Sequence, residues 1–245
     1  MKSLEHRILG TTMPVLEVTL QPQEWIIAES GELSWMTQSI GLQSGVTIGG
    51  QQGGIFGALT RAVSGSTIFM TQYYAYQYPG QVAFATKVPG TIMPIDIPAG
   101  HPGYVVHRHG FLAGGPQIQL GIATQQRLGG GIFGGMGFFM QRITGIGQWF
   151  LELSGEVVER DLQPGETLRV HPGHVGMLDA TVTFSITTVP GIRNILFGGD
   201  GLFLVQLTGP GKVWLQSLPL PNLAHAISHY LPSGEASSGP SISFG

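Results

Sequence analysis

The sequence predicts an all-β protein built from three related segments, and three observations carry that reading. Gly and Pro recur along the whole chain, 39 and 16 of 245 residues, too often for long helices. Short runs alternate apolar and polar residues, the period of a half-buried strand. The chain also repeats itself: FGGMGFFMQRITGIGQWFL (133–151) aligns without a gap on FGGDGLFLVQLTGPGKVWL (197–215).

The alignment extends upstream. IDIPAGH (95–101) matches RDLQPGE (160–166), and a fainter first copy carries TLQPQE (19–24), STIFMTQ (66–72) and GQVAFA (80–85). These define β segments at 1–86, with an insertion near 41–61, at 87–152 and at 153–218. Residues 219–245 are read as a short helix and a flexible tail. Segments of this size are marginal alone, so they are expected to pack on one another and on sister chains as β-sandwich-like repeats in a homotrimer.

Within the segments, Val15–Leu20 reads as a strand, and Gly155–Leu162 as a strand running into a Gln-Pro-Gly turn. Val182, Phe184 and Ile186 alternate onto one strand face. Phe203–Leu207, Gly-Pro-Gly and Lys212–Gln216 read as a hairpin, as does the aligned Thr144-Gly-Ile-Gly turn. A short turn is expected at Ile55–Ala62. A helix is expected over Asn222–Leu231, where Leu223, Ile227 and Leu231 share a face and Asn222 caps the start.

Charged residues make up 10% of the chain and the net charge is −3, against a usual charged share of about 25%. The surface is therefore expected to be rich in Gly, Ser, Thr and Gln and partly buried against other subunits. No run approaches 18 apolar residues, so no spanning helix is expected. The start, MKSLEHRILGTTMPVL, lacks the pattern of a secretory signal. A cytoplasmic location, or one peripheral to a membrane, follows as an expectation. With no Cys, disulfides, thiolate metal sites and Cys nucleophiles are excluded. Charge is spread evenly, and nucleic-acid binding lacks the basic block that supplies its energy.

Few residues suggest chemistry. His107 and His109 sit at i and i+2, which on a strand aims both to one side and could ligate a metal as in cupins. His174 is the faint candidate for a third ligand, and no carboxylate follows the pair closely. The pairs His171/His174 and His225/His229 also lack a third ligand nearby. Gly129–Gly134 fits a dinucleotide fingerprint but precedes a strand rather than a helix. The Gly/Phe-rich run 129–140 is read as close strand packing rather than membrane insertion. Asp96 and Asp161 occupy equivalent repeat positions, which points to turns rather than catalysis. Trp25, Trp35, Trp149 and Trp214 are read as core or interface anchors. No catalytic set, cofactor motif, P-loop or nucleophile elbow is found.

The ordered set Gly53-Gly54-Ile-Phe-Gly57-Ala-Leu-Thr-Arg61, Phe111-Leu112-Ala113, Gly199-Asp200-Gly201-Leu202-Phe203 and Gly209-Pro-Gly-Lys-Val-Trp214-Leu-Gln216 resembles the altered-inheritance-of-mitochondria family over residues 8–217. The resemblance implies three short double-stranded β-helix-like domains per chain. Their fold would be similar to the tryptophan RNA-binding attenuation protein, in a pseudo-threefold trimeric ring of nine domains. It also implies a link to inner-membrane organisation for mitochondrial members, and no active site to carry over. Here Asp200 stands where the family has Glu, and Val170-His171-Pro172-Gly173-His174 replaces an Asp-Thr-Gly-His run.

Together these readings favour a non-enzymatic oligomeric scaffold or binding protein with itself and an unknown protein or membrane surface as partners. The alternatives are a cupin-like metal or small-molecule enzyme using His107 and His109, and an RNA-binding ring.

Overall fold

A computed structural model of the chain describes residues 3–46, 70–126, 138–189, 202–228 and 230. The expected turn at Ile55–Ala62, the Gly129–Gly134 motif, His229 and the tail 232–245 lie outside the described residues. The strands are β1 (Glu5–Leu9), β2 (Val15–Leu20), β3 (Trp25–Glu29), β4 (Leu33–Met36), β5 (Ile40–Val46), β6 (Met70–Ala75) and β7 (Gly80–Ala85). Then follow β8 (Gly90–Ile97), β9 (Tyr104–His107), β10 (Phe111–Gly114), β11 (Ile118–Gln126), β12 (Phe138–Gly145) and β13 (Gly147–Ser154). The last are β14 (Val157–Leu162), β15 (Thr167–Val170), β16 (Val175–Asp179), β17 (Thr183–Val189), β18 (Leu202–Thr208) and β19 (Gly211–Gln216), before helix α1 (Leu220–Ser228).

All pairing is antiparallel. The strands form four sheets, in order β1-β2-β7-β4, β5-β6-β3-β10-β13-β8, β11-β12-β9-β16-β19-β14 and β15-β18-β17. The three cores lie between successive sheets. The first, with Leu16, Phe84, Ile26 and Phe150, fills the space between the first and second sheets. The second, with Trp149, Ile97, Ile143 and Met177, lies between the second and third. The third, with Met140, Leu178, Val170 and Val205, joins the third and fourth.

The two middle sheets are thus covered on both faces. Their central strands are buried almost continuously, as in β10 (Phe111–Gly114) and β13. That is the pattern of a doubly covered strand, whereas β2 alternates strictly because the first sheet is covered on one face.

Two expectations need correcting. The Gly-Pro-Gly and Gly-Ile-Gly turns do not make hairpins. β18 pairs with β15 and β17, while β19 pairs with β14 and β16. β12 and β13 likewise belong to different sheets. The glycines bend the chain out of the sheet plane, with φ of 102° at Gly145 and 132° at Gly147, so each turn is a corner from one sheet to its neighbour. The flanking apolar faces are then buried against each other across a core instead of lying side by side. Helix α1 also begins at Leu220, earlier than expected. The amide of Leu223 donates to the Pro219 carbonyl at 3.1 Å, so the chain turns at Pro219 and not at Asn222.

The corner at Gly145 admits no side chain: a Cβ there would stand 1.9 Å from the Gln117 carbonyl oxygen. Gly145→Ala is expected to cost roughly 2–4 kcal/mol from clash and left-handed strain together. Gly121→Ala, where nothing lies within 4 Å, is expected to change stability by less than about 0.5 kcal/mol. Urea unfolding of both variants checks the contrast.

Candidate functional site

Charged residues are rare in this chain, and several of them meet where the strands before and after Lys87 join. Glu29 ends β3, Glu32 follows in the turn to β4, Lys87 lies between β7 and β8, and Glu152 sits in β13. The turn Arg108-His109-Gly110 connects β9 to β10 and closes over them: the amide of Glu152 donates to the Gly110 carbonyl at 2.9 Å. That turn is short because Gly110 N–H returns to the His107 carbonyl at 2.9 Å.

Glu32 is 9% exposed. Its Oε1 accepts from Lys87 Nζ at 2.5 Å, while Oε2 is buried with no hydrogen-bond partner. Glu152 is pushed up to about 7, chiefly by burial and then by repulsion from Glu32; the Lys87 amide and ammonium oppose the shift. Burial and Glu32 raise Glu29 as well, against Lys87 and Arg108. Burial alone would lower Lys87, but its bond to Glu32 and the charges of Glu29 and Glu152 outweigh it and raise it. The cluster thus holds a carboxyl poised to keep its proton near neutral pH.

The neighbouring histidines are arranged differently from the expected strand pair. β9 ends at His107, so His109 lies in the turn and the two do not share a strand face. His107 Nδ1 accepts the His109 amide at 3.1 Å, and the ring centroids are 6.3 Å apart at 66°. Nε2 of His107 is buried without a partner. Burial, then His109, pushes His107 down to about 3, and His109 is lowered by burial and by Arg108 and Lys87. His174 lies apart, following β15, with its Nδ1 2.8 Å from the Gln216 carbonyl, to which it donates, and its ring 5.9 Å from that of His171. Among the described residues no three His, Asp or Glu side chains are placed to hold a metal ion.

The position of Glu152 has a counterpart. One residue beyond the aligned stretch, Gln216 ends β19 as Glu152 lies near the end of β13. Gln216 Oε1 accepts the Ser154 amide at 3.1 Å and its Nε2 donates to the Gly173 carbonyl at 2.9 Å. An amide therefore serves in the second joint where a proton-holding carboxyl serves in the first.

Elsewhere, a cavity of about 440 Å³ is lined by Leu4, Gln23, Glu24, Trp25, Gln117 and Gln148, among others. Gln23 there takes a φ of 71°, where the matching turns have Gly100 at 84° and Gly165 at 80°. Of the tryptophans, Trp149 and Trp214 are buried in the core at 0% and 7%, while Trp35 is 49% exposed. Asp96 Oδ1 accepts from Gln148 Nε2 at 3.3 Å. The sequence reading missed Glu29, Glu32, Lys87 and Glu152. The available signal was a lone Glu inside the apolar run Trp149–Leu153 of a charge-poor chain.

A family profile described as Mitochondrial biogenesis AIM24 matches residues 6–218. An uncharacterised protein of Streptococcus pyogenes serotype M6 is 26% identical over 225 residues, covering 90% of this chain and 88% of that protein. The crystal structure of a Streptococcus pyogenes protein, a structural-genomics target, superposes with a TM-score of 0.72 at 23% identity. It covers 93% of this chain and 100% of that one.

Glu152 gives the site a pH signature. Below about pH 4.5 the group is protonated in both folded and unfolded chains. Between 4.5 and about 7 the unfolded chain ionises while the folded chain keeps its proton, so stability is lost as pH rises through that window and stays lost above it. Glu152→Gln is therefore expected to gain about 3 kcal/mol at pH 8 and close to nothing at pH 4. Denaturant midpoints at the two pH values measure this; an equal gain at both would refute the buried, proton-holding carboxyl.

Proposed function

The chain belongs to the mitochondrial biogenesis AIM24 family, and from that footing we propose that it is a non-enzymatic scaffold that assembles with copies of itself into a homotrimeric ring. In this reading, segments 1–86, 87–152 and 153–218 are three copies of one module. The ring presents its surface to a protein or membrane-surface partner.

The observation that carries the proposal is the uneven division of the strands. Two sheets have six strands each, but the first has four and the last has three. Each short sheet stops at a strand edge with no neighbour among the described residues. Unpaired edges are an invitation to pair with another chain, and closed point-group assemblies are the usual outcome. The apolar surface agrees: Trp35, Met36 and Leu42 are exposed at 49%, 37% and 46%, and few charges keep copies apart.

Light scattering on the full chain at micromolar concentration is expected to give the mass of three 26.1 kDa chains. A monomer mass under those conditions would remove the proposal.

A further inference from the structure

The joint between copies can be specified residue by residue, because the chain contains two finished examples of it. In the second sheet, β5-β6-β3 from the first segment meets β10-β13-β8 from the second. In the third sheet, β11-β12-β9 meets β16-β19-β14. The last sheet, β17-β18-β15, is the left half of that same arrangement. The first sheet, β4-β7-β2, is the right half, extended by β1. Within one chain these two halves do not touch each other's edges. We propose that β15 of one copy pairs antiparallel with β4 of the next, joining the last sheet of one copy to the first sheet of the next across a head-to-tail interface. This rests on the self-assembly proposed above and names its contact.

The register follows from a shared irregularity. Each of β4, β10 and β16 skips one residue against its partner: between Leu33 and Trp35, Phe111 and Ala113, and Val175 and Met177. The bulge aligns Trp35 with Ala113 and Met177, and Met36 with Gly114 and Leu178. On the other side, Ala28 opposes Ala113 and Val106 opposes Met177. Val106 pairs with Gln141 and Val170 with Val205, positions that the gapless alignment equates. Trp35 of one copy therefore lies opposite Val170 of the next, and Met36 opposite Arg169.

Burial supports this assignment independently. Ala113 and Met177 are 0% exposed and Leu178 is 1%, yet Trp35 and Met36 stand open at 49% and 37%. Ala28 with Ala113 belongs to the first core, and Val106 with Met177 to the second. Val170 belongs to the third core, so Trp35 would extend that core from the neighbouring chain. The edge position of Trp35 is otherwise a large apolar side chain with no counterpart.

The chain has no Cys, which makes cross-linking direct. Trp35→Cys, Val170→Cys and the double variant are treated with a short bismaleimide, with circular dichroism and light scattering run alongside. In the double variant, a covalent ladder ending at three chains is expected. Each single variant alone should give none, and a mixture of the two should give a covalent dimer. The pair Met36→Cys with Arg169→Cys should reproduce the ladder if Val170→Cys perturbs folding. Trp35→Cys with Leu168→Cys, two residues off register, should cross-link at least five-fold less. A dimer from either single variant would mean like edges meet and would overturn the inference. An intact trimer without cross-links in either in-register pair would overturn this joint while leaving the ring standing; a monomer would overturn both.

Discussion

The constraint on which the molecule depends is that a strand's backbone groups must be paired on both sides once its faces are buried. No segment here satisfies this alone. The inner edge of β3 is met by β10, and that of β9 by β16. Consecutive segments are therefore joined by sheet hydrogen bonds as well as by side-chain packing. The sheets so formed are wide enough to separate two cores. Their middle strands lose the polar alternate positions that would carry charge, which accounts for part of the low ionic content.

Glu29, Glu32, Lys87, Arg108 and Glu152 meet at a joint, while others such as Arg7 and the Glu159–Asp161 run stay on solvated strands. Glu32 is anchored by Lys87 and leaves one oxygen unsatisfied, and burial, reinforced by Glu32, makes Glu152 hold its proton. A protonated carboxyl has the shape and bonding of an amide, and an amide, Gln216, occupies the matching place in the second joint. His107 is a second perturbed group beside the first joint, with the opposite sense. Such an arrangement fits a structural role where strands β3 and β10 meet, and among the described residues it supplies no cluster of metal ligands.

Much of the architecture was legible because it depends on local signals. Alternation in Val15–Leu20 and the Gln-Pro-Gly turn after β14 both read directly. The corners at Gly145 and Gly209 did not, since a glycine turn between apolar runs looks the same whether the runs lie side by side or face to face. The choice is made by which faces find a core, a non-local fact. The His107/His109 expectation failed at a strand boundary, where one residue decides orientation. Glu32 and Glu152 lie far apart in sequence, and only the fold brings them into one electrostatic neighbourhood.

The connections between segments are short: Thr86–Pro89 separates β7 from β8, and Gly155 and Glu156 alone separate β13 from β14. Tethers of this length hold the first two joints at a high effective concentration whatever the dilution. An edge contact between separate molecules has no such tether and must recover lost translational freedom from its own contacts. A bulky indole at Trp35, where the tethered joints make do with alanine and methionine, suits a contact that carries this extra entropic load.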